Sequence, residues 1–174
     1  MGDPVRPVWH IPTPVGGWGP PWPQAAELVV VLPGDRWTLV GGLMVQLHAV
    51  RAGLPIERAT VDVDMVLHIE SGATTFPDAR HALERLGYEL HIPTAKRDPV
   101  HRFVRGDDQV DVMVADHLSP RHLPKVSGRA IFQIPAGTSA LRKTVNCVIE
   151  VDADIAITLS LPDVLGALIL KGAA

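Results

Sequence analysis

The segment RATVDVDMVLHI, residues 58–69, constrains this chain more than any other, because it alternates with a period of two. From Thr60 onward, Val61, Val63, Met65, Leu67 and Ile69 share one face of a strand, and Thr60, Asp62, Asp64 and His68 share the other. Two carboxylates thereby project side by side, about 6 to 7 Å apart along the strand. Both can lean toward one divalent cation or a closely spaced pair of them. Without a cation, like charges this close repel each other or raise one carboxyl pKa. A D-x-D on a half-buried strand is also often no more than a solvated polar face, so the surrounding sequence must decide between metal and solvent.

At 174 residues and 47% apolar content, the chain fits one globular domain with a substantial core. A net charge of -3 argues against a protein coated in basic residues for nonspecific nucleic-acid binding, so any such partner would be gripped locally. The single cysteine, Cys147, lies in the strand-like run VNCVIEV and reads as a core residue, which excludes a disulfide framework and a cysteine-based metal cluster. No secretory leader pattern opens the chain, and no apolar run reaches the roughly 18 residues that span a bilayer. A cytoplasmic protein without membrane contact is the expectation.

Residues 1–24, MGDPVRPVWHIPTPVGGWGPPWPQ, are so rich in Pro and Gly that an extended or polyproline-like arm is expected, with neither helix nor sheet. Its Trp9, Trp18 and Trp22 are expected to pack on the domain surface or to stay disordered. The domain proper is assigned to residues 25–174. AAELVVVL, residues 25–32, reads as a short helix or a strand before the Pro33-Gly34-Asp35 turn. Trp37 to Val40 reads as a short buried strand, and the glycine pair Gly41-Gly42 precedes a packed helix, LMVQLHAVRAG, that ends near Gly53. Such a pair lets backbone approach a ligand, and the helix start behind it offers free N–H groups and a positive dipole end to a phosphate. Most Gly-Gly pairs are merely turns, so the weight of this one depends on the D-x-D downstream.

A strand ending in hydrophobic-Gly-Gly, one helix, and then a strand bearing D-x-D resembles the nucleotidyltransferase superfamily that includes DNA polymerase beta. The pattern R-x-T-x-D-x-D (Arg58, Thr60, Asp62, Asp64) and the helix opening GGLMVQLH resemble, more narrowly, the AbiEii-type nucleotidyltransferases of bacterial toxin-antitoxin systems. The resemblance implies an α+β (mixed α/β) domain whose twisted central sheet is covered by helices. It implies an NTP substrate, Mg2+ or Mn2+ held by Asp62, Asp64 and a third carboxylate on a later strand, and nucleotide contacts from Gly41, Gly42, Arg58 and Thr60.

The later sequence supplies a third carboxylate. FPDARHALERLGYEL reads as a covering helix with Thr75 and Asp78 as its capping box, running to Gly87, and Tyr88 to Ile92 as strand or extended chain. VHRFVR (100–105) and VDVMVAD (110–116) then form a hairpin across the turn Gly106-Asp107-Asp108-Gln109. On its second strand Asp111 points away from Val110, Val112 and Val114, which makes it the candidate; Asp107 and Asp108 read as turn residues. His101, Arg102 and Arg105 on the first strand are placed to meet triphosphate oxygens or an RNA backbone, or are ordinary exposed strand residues. The eight histidines show no H-E-x-x-H or comparable zinc spacing.

Residues 117–129, HLSPRHLPKVSGR, together with Arg142 and Lys143, make the middle of the chain locally basic. Strand-like stretches follow at 130–134, 145–151 and 155–159, and Ser160 to Asp163 reads as the cap of a final apolar helix, DVLGALILKGAA. Lys171 and Ala174 match the K-x-x-A of the AbiEii-like families, which implies a nucleotide-phosphate contact for Lys171. The Arg and Lys-Asp segment that follows in those families is absent, so the chain reads as truncated after this helix or as a minimal relative. Implied with the family are nucleotidyl transfer to a hydroxyl, on tRNA in the toxin-like relatives and on a protein or an aminoglycoside in other branches, and a cognate antitoxin. Two other readings stay open: a catalytically inactive nucleotide-binding module, and a structural or partner-binding domain.

Overall fold

In a computed structural model describing residues 5–57 and 59–174, the alternating segment forms the strand β3 (Asp62–Leu67), deep inside a mixed sheet. Its neighbours are β2 (Trp37–Val40), paired antiparallel, and β6 (Asp108–Ala115), paired parallel. Beyond β6 come β5 (Arg102–Arg105) and the two-residue β4 (Glu89–Leu90), with β9 (Gln133–Ile134) also pairing with β6. Beyond β2 come β11 (Ile155–Pro162), β10 (Thr144–Asp152) and β1 (Val8–Ile11). A separate small hairpin joins β7 (Lys125–Val126) to β8 (Arg129–Ala130). Helices α1 (Trp22–Val31), α2 (Gly41–Arg51), α3 (Phe76–Arg85), α4 (Gly137–Leu141) and α5 (Val164–Ala173) complete the chain. The expected α+β class, a large sheet with covering helices, is what forms.

The core follows from the pattern. Val63, Met65 and Leu67 of β3 are fully buried, as are Trp37 and Leu39 of β2, Leu43 and Leu47 of α2, and Val110, Val112 and Val114 of β6. Val61 is 68% exposed because the strand begins one residue after it, so it does not join the apolar face as expected. Past Asp64 both faces of β3 are covered, which removes Val66 from any open polar face, and His68, just after the strand, is half-buried. The ring of His68 donates from Nδ1 to the Asp35 carbonyl at 2.8 Å, so its Nε2 accepts, and the Thr38 hydroxyl 2.7 Å away donates to it. Thr38 also pairs with the Ser160 hydroxyl at 2.8 Å. The buried hydroxyls of Thr38 and Ser160 and the half-buried His68 ring satisfy one another across β2, β11 and the end of β3.

The cap expected for α3 forms, whereas at the last helix Ser160, Leu161 and Pro162 stay in β11, so Pro162 is not in the first turn and Asp163 alone is the cap. Thr75 accepts from the Asp78 N–H at 3.2 Å to start α3, and Asp163 accepts from the Gly166 N–H at 2.8 Å to start α5. Cys147 is fully buried, and burial pushes its thiol up to about 12, as suits a core residue.

The leader departs from expectation. Between Pro7 and Pro12 four residues keep their N–H groups, and this interval forms β1, parallel to β10, with the Asn146 N–H donating to the Pro7 carbonyl at 2.9 Å. Prolines are tolerated there because β1 is an edge strand. Trp18 donates to the Glu150 carbonyl at 2.7 Å, and Trp22, fully buried, donates to the Gln46 side chain at 2.8 Å from the first turn of α1. Trp9 packs under Arg51, whose guanidinium lies 3.9 Å from the ring centroid. Residues 25–32, ambiguous between helix and strand, fall mostly in α1. Among the described residues no helix is long and apolar enough to cross a membrane.

Candidate functional site

Parallel pairing of β3 with β6 sets Asp64 directly opposite Asp111 and Asp62 opposite Gln109. One carboxylate oxygen from each of Asp62, Asp64 and Asp111 lies within 4.8 Å of the other two. Among the described residues this is the one group of three or more carboxylate, His or Cys side chains so placed, and none of the histidines belongs to it. Asp111 is buried, while Asp62 and Asp64 are half-buried. Burial first, and then the charges of Asp62 and Asp111, push the Asp64 carboxyl up to about 6. The Gly42 N–H and the charge of Lys171 partly offset this rise. Three hard oxygen donors that burden one another electrostatically can hold a divalent cation of the Mg2+ or Mn2+ type, and the cluster fits that role.

The glycine pair has a use the sequence did not reveal. Gly41 opens α2 at φ +69°, a left-handed conformation, and a Cβ there would run into the Asp64 carboxylate. A Cβ on Gly42 would collide with the Thr60 side chain. Both glycines therefore make room for the carboxylate strand itself, and the N-terminus of α2 faces Asp64. Thr60, in turn, donates its hydroxyl to Asp62 Oδ1 at 2.8 Å and fixes that carboxylate. Arg58 lies outside the described residues. Lys171 is exposed in the last turn of α5, yet near enough for its charge to act on Asp64.

On the other flank, Arg102 makes a two-pronged ion pair with Asp111: Nε donates to Oδ1 at 2.9 Å and Nη2 to Oδ2 at 2.8 Å. His101 Nε2 stands 3.9 Å from the same carboxylate, and its ring packs on Phe132. The sequence reading placed Arg102 near the site but missed this pair, because it assigned the hairpin a four-residue turn. The turn is Gly106-Asp107 alone, with Arg105 opposite Asp108, and counting back from it sets Arg102 opposite Asp111. A glycine at the first turn position with φ +59° was the available signal. Arg105 is drawn away from the cluster: it bonds Asp108, Glu27 and the Leu86 carbonyl and lies over the Tyr88 ring. Asp108 is thereby accounted for in β6, and Asp107 is an exposed turn residue.

A cleft of about 390 Å3 reaches the cluster's flank, lined by Asp98, Pro99, His101, Arg102 and Phe132 among others. The larger cavity of about 930 Å3, between the Pro-rich leader, α2 and the loop before β3, includes none of the three aspartates. Chemistry, not volume, locates the site.

No family model matches this chain. No curated protein matches it either. Among solved structures it is similar to the solution structure of the antibiotic-resistance factor ANT(2'')-Ia, described as showing substrate-regulated conformation dynamics. The two are 16% identical, with 62% of this chain and 60% of that one covered and a TM-score of 0.38. This chain thus spans less than two thirds of that structure's length, and at this level the likeness bears on neither activity nor substrate.

Proposed function

We propose that the protein is a metal-dependent nucleotidyltransferase, moving an NMP from an NTP to a hydroxyl acceptor. The observation that carries this reading is the convergence of Asp62, Asp64 and Asp111 within 4.8 Å of one another, beside a glycine-opened helix N-terminus. These three carboxylates would hold Mg2+ or Mn2+, which when bound lowers the pKa of the acceptor hydroxyl and neutralises charge on the departing pyrophosphate.

The chain's own residues divide the remaining work. Phosphoryl transfer needs the attacking and leaving oxygens roughly in line, on opposite sides of the phosphorus. β2, which leads into Gly41 and Gly42, lies on one side of β3, and β6 and β5 lie on the other. The N–H groups of the first turn of α2 beyond Gly42, whose own N–H serves Asp64, with Lys171, and with Arg58 in the role the sequence pattern gives it, would receive the triphosphate. The acceptor hydroxyl would enter from the β5 side, oriented by Asp111, with Arg102 and His101 flanking the cleft. Bringing the two reactants into this geometry supplies much of the rate.

An RNA acceptor, tRNA in the narrower AbiEii-type reading with its cognate antitoxin, draws support from the basic loops on that side. Lys96, Arg97, Arg121 and Lys125 are exposed, and Arg129 ties the loops together by donating to the Pro93 carbonyl at 3.2 Å. A second reading, nucleotide binding without transfer, has one observation in its favour: Arg102 takes up both oxygens of Asp111.

One experiment separates these. The protein is given each α-labelled NTP and an RNA pool, with Mg2+ or EDTA, beside Asp62→Asn/Asp64→Asn, and NTP binding is followed by calorimetry. Transfer that requires both the metal and the aspartates is the expected result. Metal-dependent binding without transfer would select the inactive module, and unchanged transfer by the double variant would refute the assignment.

A further inference from the structure

We infer that Arg6, Arg142 and Lys143 form a second ligand site, separate from the aspartate cluster, that takes a phosphate-bearing anion. They come from two distant parts of the sequence. Arg6 precedes β1, where the Asn146 N–H to Pro7 carbonyl bond holds the chain in place. Arg142 caps the C-terminus of α4. The backbone of Lys143 is pinned at both groups: its N–H donates to the Ala140 carbonyl at 2.9 Å, and its carbonyl accepts from the Asp163 N–H at 2.7 Å.

All three side chains line one cavity of about 600 Å3, together with Thr144 and Asp163. Arg6 and Arg142 also line an adjoining cavity of about 270 Å3, where His68 and Glu70 lie. Among the described residues no carboxylate forms an ion pair with any of the three cations, and their side chains make no hydrogen bond. Asp163, the one acid in the larger cavity, spends an oxygen on capping α5. His68 does not add to the charge: burial, and the nearby charge of Arg6, push its pKa down.

Three cations that line one cavity without a paired acid favour an anion there. A multiply charged oxyanion answers three cations better than a single carboxylate does, and arginine's fork suits phosphate oxygens. The cavity has room for more than a lone phosphate, so a small phosphorylated molecule and the backbone of a nucleic acid both suit it. Helix α5 runs between the two sites. Asp163 at its start lines this cavity, and Lys171, eight residues and about 12 Å further along, acts on Asp64.

The test uses the full chain in EDTA, so that metal-dependent capture of a phosphate probe by the aspartate cluster cannot contribute. Sodium pyrophosphate and a single-stranded RNA decamer are titrated separately into the wild type, Arg6→Glu/Arg142→Glu and Asp62→Asn/Asp64→Asn. At least one probe should bind, the double arginine variant should lose about tenfold or more of that affinity, and the aspartate variant should not. Binding of pyrophosphate identifies a small-phosphate site, and binding of RNA alone identifies a backbone site. Because two charge reversals together could disturb folding, Arg142→Gln, a neutral change at an exposed residue, is run in parallel and should weaken binding several-fold. No binding of either probe, or binding indifferent to all the arginine changes, overturns the inference. A failed transfer assay would leave this result standing.

Discussion

At the scale of single residues, Asp64 carries the electrostatic cost of the site. Its carboxyl is raised from 3.8 to about 6, so the folded protein holds this proton more tightly than the unfolded chain does. The corresponding stability is fully present below about pH 4, is lost as pH rises through about 6, and is absent above. Asp64→Asn should therefore stabilise the metal-free protein at pH 8 by about 2 to 3 kcal/mol, with the gap closing toward pH 4. Thermal melts in EDTA across that range check it; a destabilised Asn variant at pH 8 would show that the Gly42 N–H and Lys171 outweigh burial and the neighbouring charges. With Mn2+ present the order should invert, because only the wild type then keeps all three carboxylates. The aspartates themselves were legible, since strand periodicity alone puts Asp62 and Asp64 on one face and turns Asp111 off the valine face. Their partners were not: Arg102 reaches Asp111 from another strand, and the one local cue to the turn that brings it there, Gly106, does not by itself fix the turn's length.

At the scale of elements, the junction of β2 with α2 is the tightest part of the site. Gly41→Ala must either push the Asp64 carboxylate aside or distort a backbone at φ +69°. Gly53 has a similar φ of +70° but open space around it, so Gly53→Ala reports the conformational cost alone. That cost is about 1 to 2 kcal/mol. Gly41→Ala should exceed it and, unlike Gly53→Ala, should weaken Mn2+ binding measured by electron paramagnetic resonance; equal losses in the two variants would mean that the Asp64 contact is unimportant. The strand-Gly-Gly-helix order was readable from sequence because each piece is local. The reason for the glycines was not, because the side chains they avoid, Asp64 and Thr60, arrive about twenty residues later. The hairpin was likewise readable as a hairpin, while its turn was assigned two residues too long.

At the scale of the whole molecule, the Pro-rich leader is part of the fold. β1 covers one edge of the sheet, and Trp22 fills the space beside Gln46 on α2. Trp22→Ala should cost about 3 to 5 kcal/mol, read as a fall in denaturation midpoint, whereas Val15→Ala, at a fully exposed leader residue, should cost almost nothing. Similar losses from both would point to a general leader effect in place of one anchor. Composition misled here because proline content describes a segment on average, while four consecutive residues without proline were enough for an edge strand.

The register of β3 on β6 sets Asp64 opposite Asp111 with the same pairing that buries Val63 against Val110 and Met65 against Val112. A slip of one residue would turn every side chain of β6 to the opposite face. The chain thus has no means of misplacing its third aspartate while keeping its interior dry. A mutation that shifts β6 against β3 therefore fails first as a folding defect, and the spacing of the carboxylates is kept under the protection of the core.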